Sequence, residues 1–371
     1  MSFENGSFNV MVCSLSKELP DDVLDLFAAH AGGKIDDVGP EPVMGWVSGR
    51  HLLEGTIDEE TCICGGHLYM NLRKTERKVP SQLLNAICKR DELVYMQAND
   101  CLYVPKKQRM QIKKEAVERL LPKMTPIISA IPFVIDRKAN MLYLGANSDA
   151  KFDTFLAEYT SSLGNEYEPV PMSPDELMFQ LYGQNANILP TFNLTGNVAA
   201  KDEPMPARDF LTWMWYDIEM KGGVVTHPQF GEFTFAMEGP LTFAFSPTKT
   251  KDPDLTDSGE TAIKKGNPML SGEAITALQS GKKMKKAKIL MARGNAEKWS
   301  FSFDADTFTF NSLTLPEGEE QERNAKFEER IFNLFILHSV MELYFKKFAE
   351  SLLNGKNMET EKKLQEWAKQ K

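Results

Sequence analysis

Two lysine-rich segments are the first candidates for chemistry in this sequence. Residues 103–123 contain seven cations against two carboxylates, and residues 281–298 contain seven cations against one carboxylate. Cations on flexible stems neutralise phosphate groups and release counterions, and this requires no base-specific geometry. Few aromatic residues lie among them, which favours contact with a phosphate backbone over base stacking. The alternative is that such charge runs are only solvated surface.

The residues that we assign to phosphate contact are drawn from both segments, with one further lysine between them. They are Lys106, Lys107, Arg109, Lys113, Lys114, Lys265, Lys282, Lys283, Lys285, Lys286 and Lys288.

Two other groups have the residue types of a metal site. Cys62 and Cys64 alternate along the chain with His67 nearby, but a second ligand pair at usable spacing is missing, so no structural zinc is expected. Asp304 and Asp306 are carboxylates of the kind that hold Mg²⁺ in a two-metal nuclease. They lie between two aromatic, strand-like segments, which favours a hairpin turn instead.

No pattern predicts a catalytic residue or a cofactor. His338 falls on the apolar face of a helical pattern, which favours a packed core histidine over a catalytic base. Gly33-Lys34 and Gly281-Lys282 both lack the glycine and hydroxyl residue that complete a phosphate-binding loop. A nucleophile elbow is also missing.

Composition places the chain among folded proteins and makes the location of its charge decisive. It has 371 residues, 42% of them hydrophobic, and a net charge of −9, which by itself argues against a nucleic-acid binder. An acidic exterior can nevertheless coexist with a local basic field. We expect a cytoplasmic protein, because no apolar run reaches membrane-span length and the N-terminus lacks a signal-peptide layout. The five cysteines form no disulfide spacing and are expected to be reduced.

Hydrophobic periodicity predicts an α+β protein of several lobes, with antiparallel sheets. We assign residues 1–164 to an N-terminal lobe with a basic helical region near 80–123, residues 165–207 to a Pro/Asn/Gly-rich link, and residues 208–353 to a C-terminal lobe ending in a long helix. Residues 354–371 are predicted to be a charged, frayed tail.

Particular elements follow from apolar spacing. They are a strand at residues 8–15 with Phe8, Val10 and Val12 on one face, a strand at 61–72, a helix at 83–89, a helix at 106–119, separate strands at 232–237 and 241–245, an aromatic hairpin at 299–310 and a helix ending near Leu352.

The order of several local patterns resembles the recombination-associated protein RdgC family. No single pattern is specific, so their colinear order is the argument. They include Met44-Gly45-Trp46-Val47, the segment from Arg73 to Pro80, the segment from Lys113 to Lys123, Phe133-Val134-Ile135-Asp136, Phe210-Leu211-Thr212-Trp213 and the segment from Leu270 to Ile275. The chain departs from that family at 186–207, at 248–260 and in the tail, which look like added material. It also lacks the Gln of the family's basic–Gln–Asp–Leu segment, where it has Lys265-Gly266-Asn267.

The resemblance implies a horseshoe-like subunit that pairs at both ends into a ring-shaped homodimer. It implies a non-enzymatic protein that binds DNA, double-stranded and without sequence preference, and that encircles or covers it. It further implies a nucleoid-associated protein that modulates recombination by limiting recombinase loading. The alternatives are a metal-dependent DNA nuclease with dispersed carboxylates, and a protein-interaction scaffold that uses its acidic exterior.

Overall fold

The computed structural model describes residues 3–195, 204–246, 259–264, 271–353 and 356–369. These residues form thirteen strands connected by antiparallel pairing into one sheet path. The strands are β1 Phe8–Leu15, β2 Val43–Ser48, β3 Ile63–Cys64, β4 His67–Glu76, β5 Ile127–Asp136, β6 Met141–Leu144, β7 Pro169–Pro171, β8 Val224–His227, β9 Gly231–Ala244, β10 Glu260–Ile263, β11 Lys283–Arg293, β12 Glu297–Asp304 and β13 Thr309–Thr314.

Ten helices lie within the same described ranges. They are α1 Val23–Ala28, α2 Glu59–Cys62, α3 Ser81–Ala98, α4 Lys106–Leu120, α5 Asp149–Leu163, α6 Pro174–Tyr182, α7 Pro206–Lys221, α8 Gly272–Gln279, α9 Arg323–Leu352 and α10 Asn357–Lys369. The predicted α+β class and antiparallel pairing are confirmed. Within the described part of the chain, no helix combines the length and apolar content that crossing a membrane requires.

Strand β1 joins the two halves of the sheet. The path runs β10-β9-β11-β12-β13-β1-β6-β5-β4-β2, with β3 on β4, β7 on β1 and β8 on β9. The start of β1 pairs with β13 at Phe8 and Val10, and its end pairs with β6. Because side chains alternate across a strand, β1 contributes to both faces of the sheet.

Two hydrophobic clusters cover those faces. Phe8, Val10 and Val12 lie in the larger cluster with α7 and α9, as their predicted common face requires. Met11 and Cys13 lie in the smaller cluster with α1 and α5. The N-terminal part of the sheet is therefore buried on both sides.

The conspicuous Gly45-Trp46 pair has a packing role. A Cβ on Gly45 would lie 2.6 Å from the Cα of Gly32, so only glycine allows this approach of two backbones. The buried Trp46 ring packs against Phe27, and its indole N–H donates to Ser162 Oγ at 2.8 Å. These contacts connect β2 to α1 and α5.

Three predicted elements differ from the structure. The strand predicted at 61–72 is instead the end of α2 and a tight hairpin, turned at Gly65 with φ +54° and Gly66 with φ +78°. The two strands predicted at 232–245 are one strand, β9, with shifts of register against β11. The helix predicted at 83–89 extends over Ser81–Ala98; the apolar residues of its second half, Leu93 to Met96, are consecutive and so form no helical stripe in the sequence.

The predicted frayed tail is wrong over Asn357–Lys369, which form α10. Leu364, Trp367 and Ala368 are buried against the main body. The Trp367 indole N–H donates to Glu219 Oε2 at 2.8 Å, and the ring meets Trp215 edge-on at 5.0 Å. Although most residues of α10 are charged or polar, these three buried residues lie on one side of the helix, and their packing orders it.

Within the predicted link, residues 165–195 and 204–207 are described. They form β7, α6 and the start of α7, and Leu177, Met178 and Phe192 enter the larger core. The division into lobes stays a prediction.

Candidate nucleic-acid interface

Helices α3 and α4 form a hairpin that carries the first basic segment. Each follows a proline, Pro80 or Pro105, in extended conformation. Helix α3 has no buried residue, whereas α4 buries Ile112 and Ala116 on one side. Opposite charges join the two helices, because Arg119 on α4 donates to Asp91 Oδ2 on α3 at 2.7 Å. The hairpin therefore exposes much of its surface to solvent.

Arginine contacts fix the base of this hairpin. The Arg77 guanidinium donates to the Val38 carbonyl at 2.8 Å and to the Met124 carbonyl just after α4. Arg73, on the preceding strand β4, is buried and donates to the Leu52 carbonyl at 2.9 Å. Both arginines therefore hold the backbone in place.

The predicted cations of α4 are all on the exposed surface. Lys106, Lys107, Arg109, Lys113 and Lys114 are exposed. Among the described residues only Lys114 of these five has a carboxylate within 4.0 Å, Glu118 at 3.8 Å. The other four are thus available to an anion.

These cations are not explained by the stability of the helix itself. The first turn of α4 contains no acidic residue and begins with Lys106 and Lys107. Cations near a helix N-terminus oppose the helix dipole, by roughly 0.3–1 kcal/mol each at exposed positions. The cations therefore do not stabilise the start of α4.

The lysines at the start of the second basic segment are in a different environment. Lys282 and Lys283 are only 5% and 9% exposed. The Lys282 ammonium lies 2.8 Å from Thr261 Oγ1 and 5.0 Å from the centre of the Phe245 ring. The Lys283 ammonium lies 2.8 Å from Asp209 Oδ1. Both ammonium groups therefore make intramolecular contacts in the interior of the protein.

The remaining lysines of β11 are half-buried and paired with carboxylates. Lys286 Nζ is 2.7 Å from Asp304 Oδ2 on β12, and Lys288 Nζ is 2.9 Å from Glu238 Oε2 on β9. Lys285 Nζ is 3.7 Å from Asp306 Oδ2. The Lys286 and Lys288 pairs cross between neighbouring strands, so they contribute to sheet register as well as to local charge.

The two predicted clusters are thus unequal. The α4 cations are exposed and largely uncompensated, whereas those of β11 already have intramolecular partners. Lys265 lies outside the described residues. Phosphate contact stays a prediction for all of them.

The other candidate groups have structural roles. Asp304 ends β12 and Asp306 lies in the following turn, as predicted, and the Asp306 carboxylate accepts two bonds from Arg208. His338 is buried, as predicted, with Nδ1 3.2 Å from the Tyr143 hydroxyl. Burial lowers the pKa of His338 to about 4, so its ring is neutral near pH 7.

The cysteine pair does not form a ligand set in the described part of the chain. Cys62 ends α2, and Cys64 on β3 has its Sγ 3.4 Å from Asn324 Oδ1. Burial raises the pKa of both thiols, which opposes the thiolate form that zinc requires. Among the described residues no group of three or more His, Cys, Asp or Glu side chains is placed to hold a metal ion.

A cavity lined by arginines was not predicted from the sequence. A cavity of about 770 Å³ is lined by three arginines, Arg50, Arg137 and Arg323, together with Glu59 and Glu60. Arg50 and Arg323 are paired with Glu60 and Glu4. The three arginines come from distant parts of the chain, so no local pattern could have grouped them.

Comparison with known proteins identifies relatives of part of this chain. The model of a family described as "Putative exonuclease, RdgC" matches residues 22–178. A recombination-associated protein RdgC of Pseudoalteromonas atlantica is 30% identical over 138 residues, which are 37% of this chain and 44% of that protein. A recombination-associated protein RdgC of Psychromonas ingrahamii is 27% identical over 144 residues, 38% of this chain and 46% of that protein.

The matched region includes the hairpin and its exposed cations. The chain spans less than half the length of these curated relatives. The family resemblance read from the local motifs is confirmed by both kinds of match. Residues 22–178 of this chain are therefore similar to the RdgC family.

Proposed function

We propose that this protein binds DNA without sequence preference and modulates recombination by occupying DNA on which a recombinase would assemble. The observation that carries the proposal is the row of exposed cations on α4, four of which have no carboxylate within 4.0 Å in the described structure. The relatives are named recombination-associated proteins, which agrees with a DNA substrate.

The charge distribution explains how an acidic protein binds a polyanion. The chain has a net charge of −9, so long-range attraction to DNA is weak or absent. Residues 81–120, which form the hairpin, carry the opposite balance of eight Lys or Arg against five Asp or Glu. Phosphate contact there releases counterions, which makes the affinity strongly dependent on salt and indifferent to base sequence.

The proposed interface centres on the α4 cations. Lys285, Lys286 and Lys288 join it only if a phosphate replaces their carboxylate partners, which lie 2.7–3.7 Å away for the nearest pairs. Lys282 and Lys283 are left out of it because they are buried.

A protein that acts by occupying DNA is suited to a closed, ring-shaped assembly. We propose a homodimer with isologous contacts that encircles duplex DNA as a ring and acts in the nucleoid. Encirclement needs many weak phosphate contacts rather than one deep site. This agrees with cations spread along an exposed helix.

Fluorescence anisotropy with two duplexes of unrelated sequence tests this function. We expect similar affinities for both and a fall of log affinity with log salt of roughly 0.9 for each phosphate neutralised. Absence of binding at low salt would refute the proposal. The ring would be refuted if light scattering found only monomer at micromolar concentration. The mode of action would be refuted if a recombinase assembled its filament unimpeded on DNA covered by this protein.

A metal-dependent nuclease is the second candidate, because the matching family model is described as an exonuclease. Such an enzyme needs carboxylates gathered around Mg²⁺. Incubating end-labelled duplex with the protein and Mg²⁺ or Mn²⁺ distinguishes the two. Under the binding proposal the label stays at full length, and metal-dependent shortening would favour the nuclease.

A further inference from the structure

The tip of the α3–α4 hairpin presents two apolar side chains to solvent. The backbone there is held by hydrogen bonds, since the Cys101 N–H donates to the Met96 carbonyl at 3.1 Å. Val104 is 3% exposed and anchors the loop. Between these anchors Leu102 is 99% exposed and Tyr103 is 71% exposed. The loop therefore directs both side chains outward.

The sequence around this apolar pair is basic overall, with Asp100 as the one carboxylate in residues 97–109. Single exposed apolar residues are ordinary on protein surfaces. Here a leucine and an aromatic ring are adjacent, and Lys106, Lys107 and Arg109 follow within the next six residues. An apolar, planar surface beside cations is complementary to a nucleotide, which has a flat base next to a phosphate.

We propose that Leu102 and Tyr103 stack against unpaired bases, so that the preferred substrate is DNA with a single-stranded stretch beside a duplex. This inference rests on the proposed function and adds the substrate class to it. In an intact duplex the base faces are covered by their neighbours, so the tip finds no surface to stack on. At a junction the faces of the unpaired bases are exposed, while the α4 cations contact the adjacent phosphates.

A nucleic acid suits this tip better than the other possible occupants. An isologous contact with a second copy would bring Lys106, Lys107 and Arg109 of both subunits together, and like charges repel. A membrane surface would be approached with only two apolar side chains, by a protein with a net charge of −9.

The test compares a blunt duplex with the same duplex that carries a single-stranded extension, at one fixed salt concentration. We expect the full chain to prefer the extended DNA at least about fivefold, the lower bound for stacking one base on an aromatic ring. Tyr103→Ala should remove most of this preference and leave affinity for the blunt duplex unchanged. Tyr103→Phe should retain it. Leu53→Ala is the matched control, because Leu53 is another exposed apolar residue, 64% exposed, and lies outside helices α3 and α4.

A second readout reports stacking directly. With 2-aminopurine in the single-stranded extension, the full chain and Tyr103→Phe should quench its fluorescence, and Tyr103→Ala should not. If the protein binds both DNAs equally, or if Tyr103→Ala keeps the preference and the quenching, this inference fails and the proposed function stands. If neither DNA is bound, both fail.

Two further results would reassign the tip. Loss of dimer in Tyr103→Ala, measured by light scattering, would make it a contact between copies. Tyr103-dependent sedimentation with vesicles of phosphatidylserine and phosphatidylcholine, without a change in DNA preference, would make it a membrane contact. Either outcome overturns the inference.

Discussion

Replacing Lys283 by methionine should strongly destabilise the fold. The Lys283 ammonium lies 2.8 Å from Asp209 Oδ1, and both side chains are buried. Methionine keeps most of the volume of lysine and removes the charge. The Asp209 carboxylate then loses its ion pair and keeps the hydrogen bond from the Thr191 hydroxyl at 2.7 Å. Removing one partner of a buried ion pair typically costs about 3–5 kcal/mol of unfolding free energy.

The cost should also depend on pH. Burial raises the pKa of Asp209, and Lys283 opposes this shift. Without Lys283 the folded state holds the proton on Asp209 more tightly than the unfolded state does. The stability of the variant should therefore fall as the pH rises above the ordinary carboxyl pKa of 3.8.

Urea unfolding followed by circular dichroism, at pH 5 and pH 8, measures both effects. Asp209→Asn combined with Lys283→Met should recover much of the stability, because no uncompensated charge then remains buried. Lys107→Met is the control for an exposed lysine and should change stability by less than about 0.5 kcal/mol. A Lys283→Met variant as stable as the parent would refute the buried pair and return Lys283 to the set of surface cations.

Two further predictions concern other buried groups. Burial raises the pKa of Glu342 to about 7, so folding stability decreases as the pH rises from 4.5 through 7. Relative to the parent, Glu342→Gln should gain up to about 3 kcal/mol between pH 4 and pH 8, and an equal effect at both pH values would contradict this reasoning. Trp367→Ala should lower the free energy of urea unfolding by about 3–5 kcal/mol, because the ring is buried against the body. A decrease below about 1 kcal/mol would mean that the tail is frayed after all.

Elements with strong apolar periodicity could be predicted from the sequence. Strand β1 was predicted with its correct bounds and its correct inner face. The last main helix was predicted to end at Leu352, as observed, because its apolar residues repeat without interruption. In both cases the pattern reflects burial along one continuous element.

Elements without such a stripe could not be predicted. The second half of α3 has no buried residue, and its apolar residues Leu93 to Met96 do not repeat at helical spacing, so its helical state depends on pairing with α4. Helix α10 has few apolar positions, and it is ordered by contacts such as that of Trp367 with Glu219, 148 residues away. Local sequence contains no information on such partners.

The candidate interface shows the same division. Exposure of the α4 cations follows from a polar helix and was predictable. Pairing of Lys283 with Asp209 and of Lys286 with Asp304 depends on sheet register and on distant segments. Local sequence alone therefore does not distinguish lysines that are exposed to solvent from lysines that are paired with carboxylates.

The most direct test of the central claim is the salt dependence of DNA affinity in a variant of α4. Lys106, Lys107, Arg109 and Lys113 are changed together to glutamine, and anisotropy is measured against salt with two unrelated duplexes. We expect weaker binding to both duplexes by a similar factor and a salt slope flatter by roughly one unit for each phosphate that is no longer neutralised. The variant should be at least as stable to urea as the parent, because cations near the start of α4 oppose the helix dipole. A folded variant that binds with the affinity and slope of the parent would contradict the central claim.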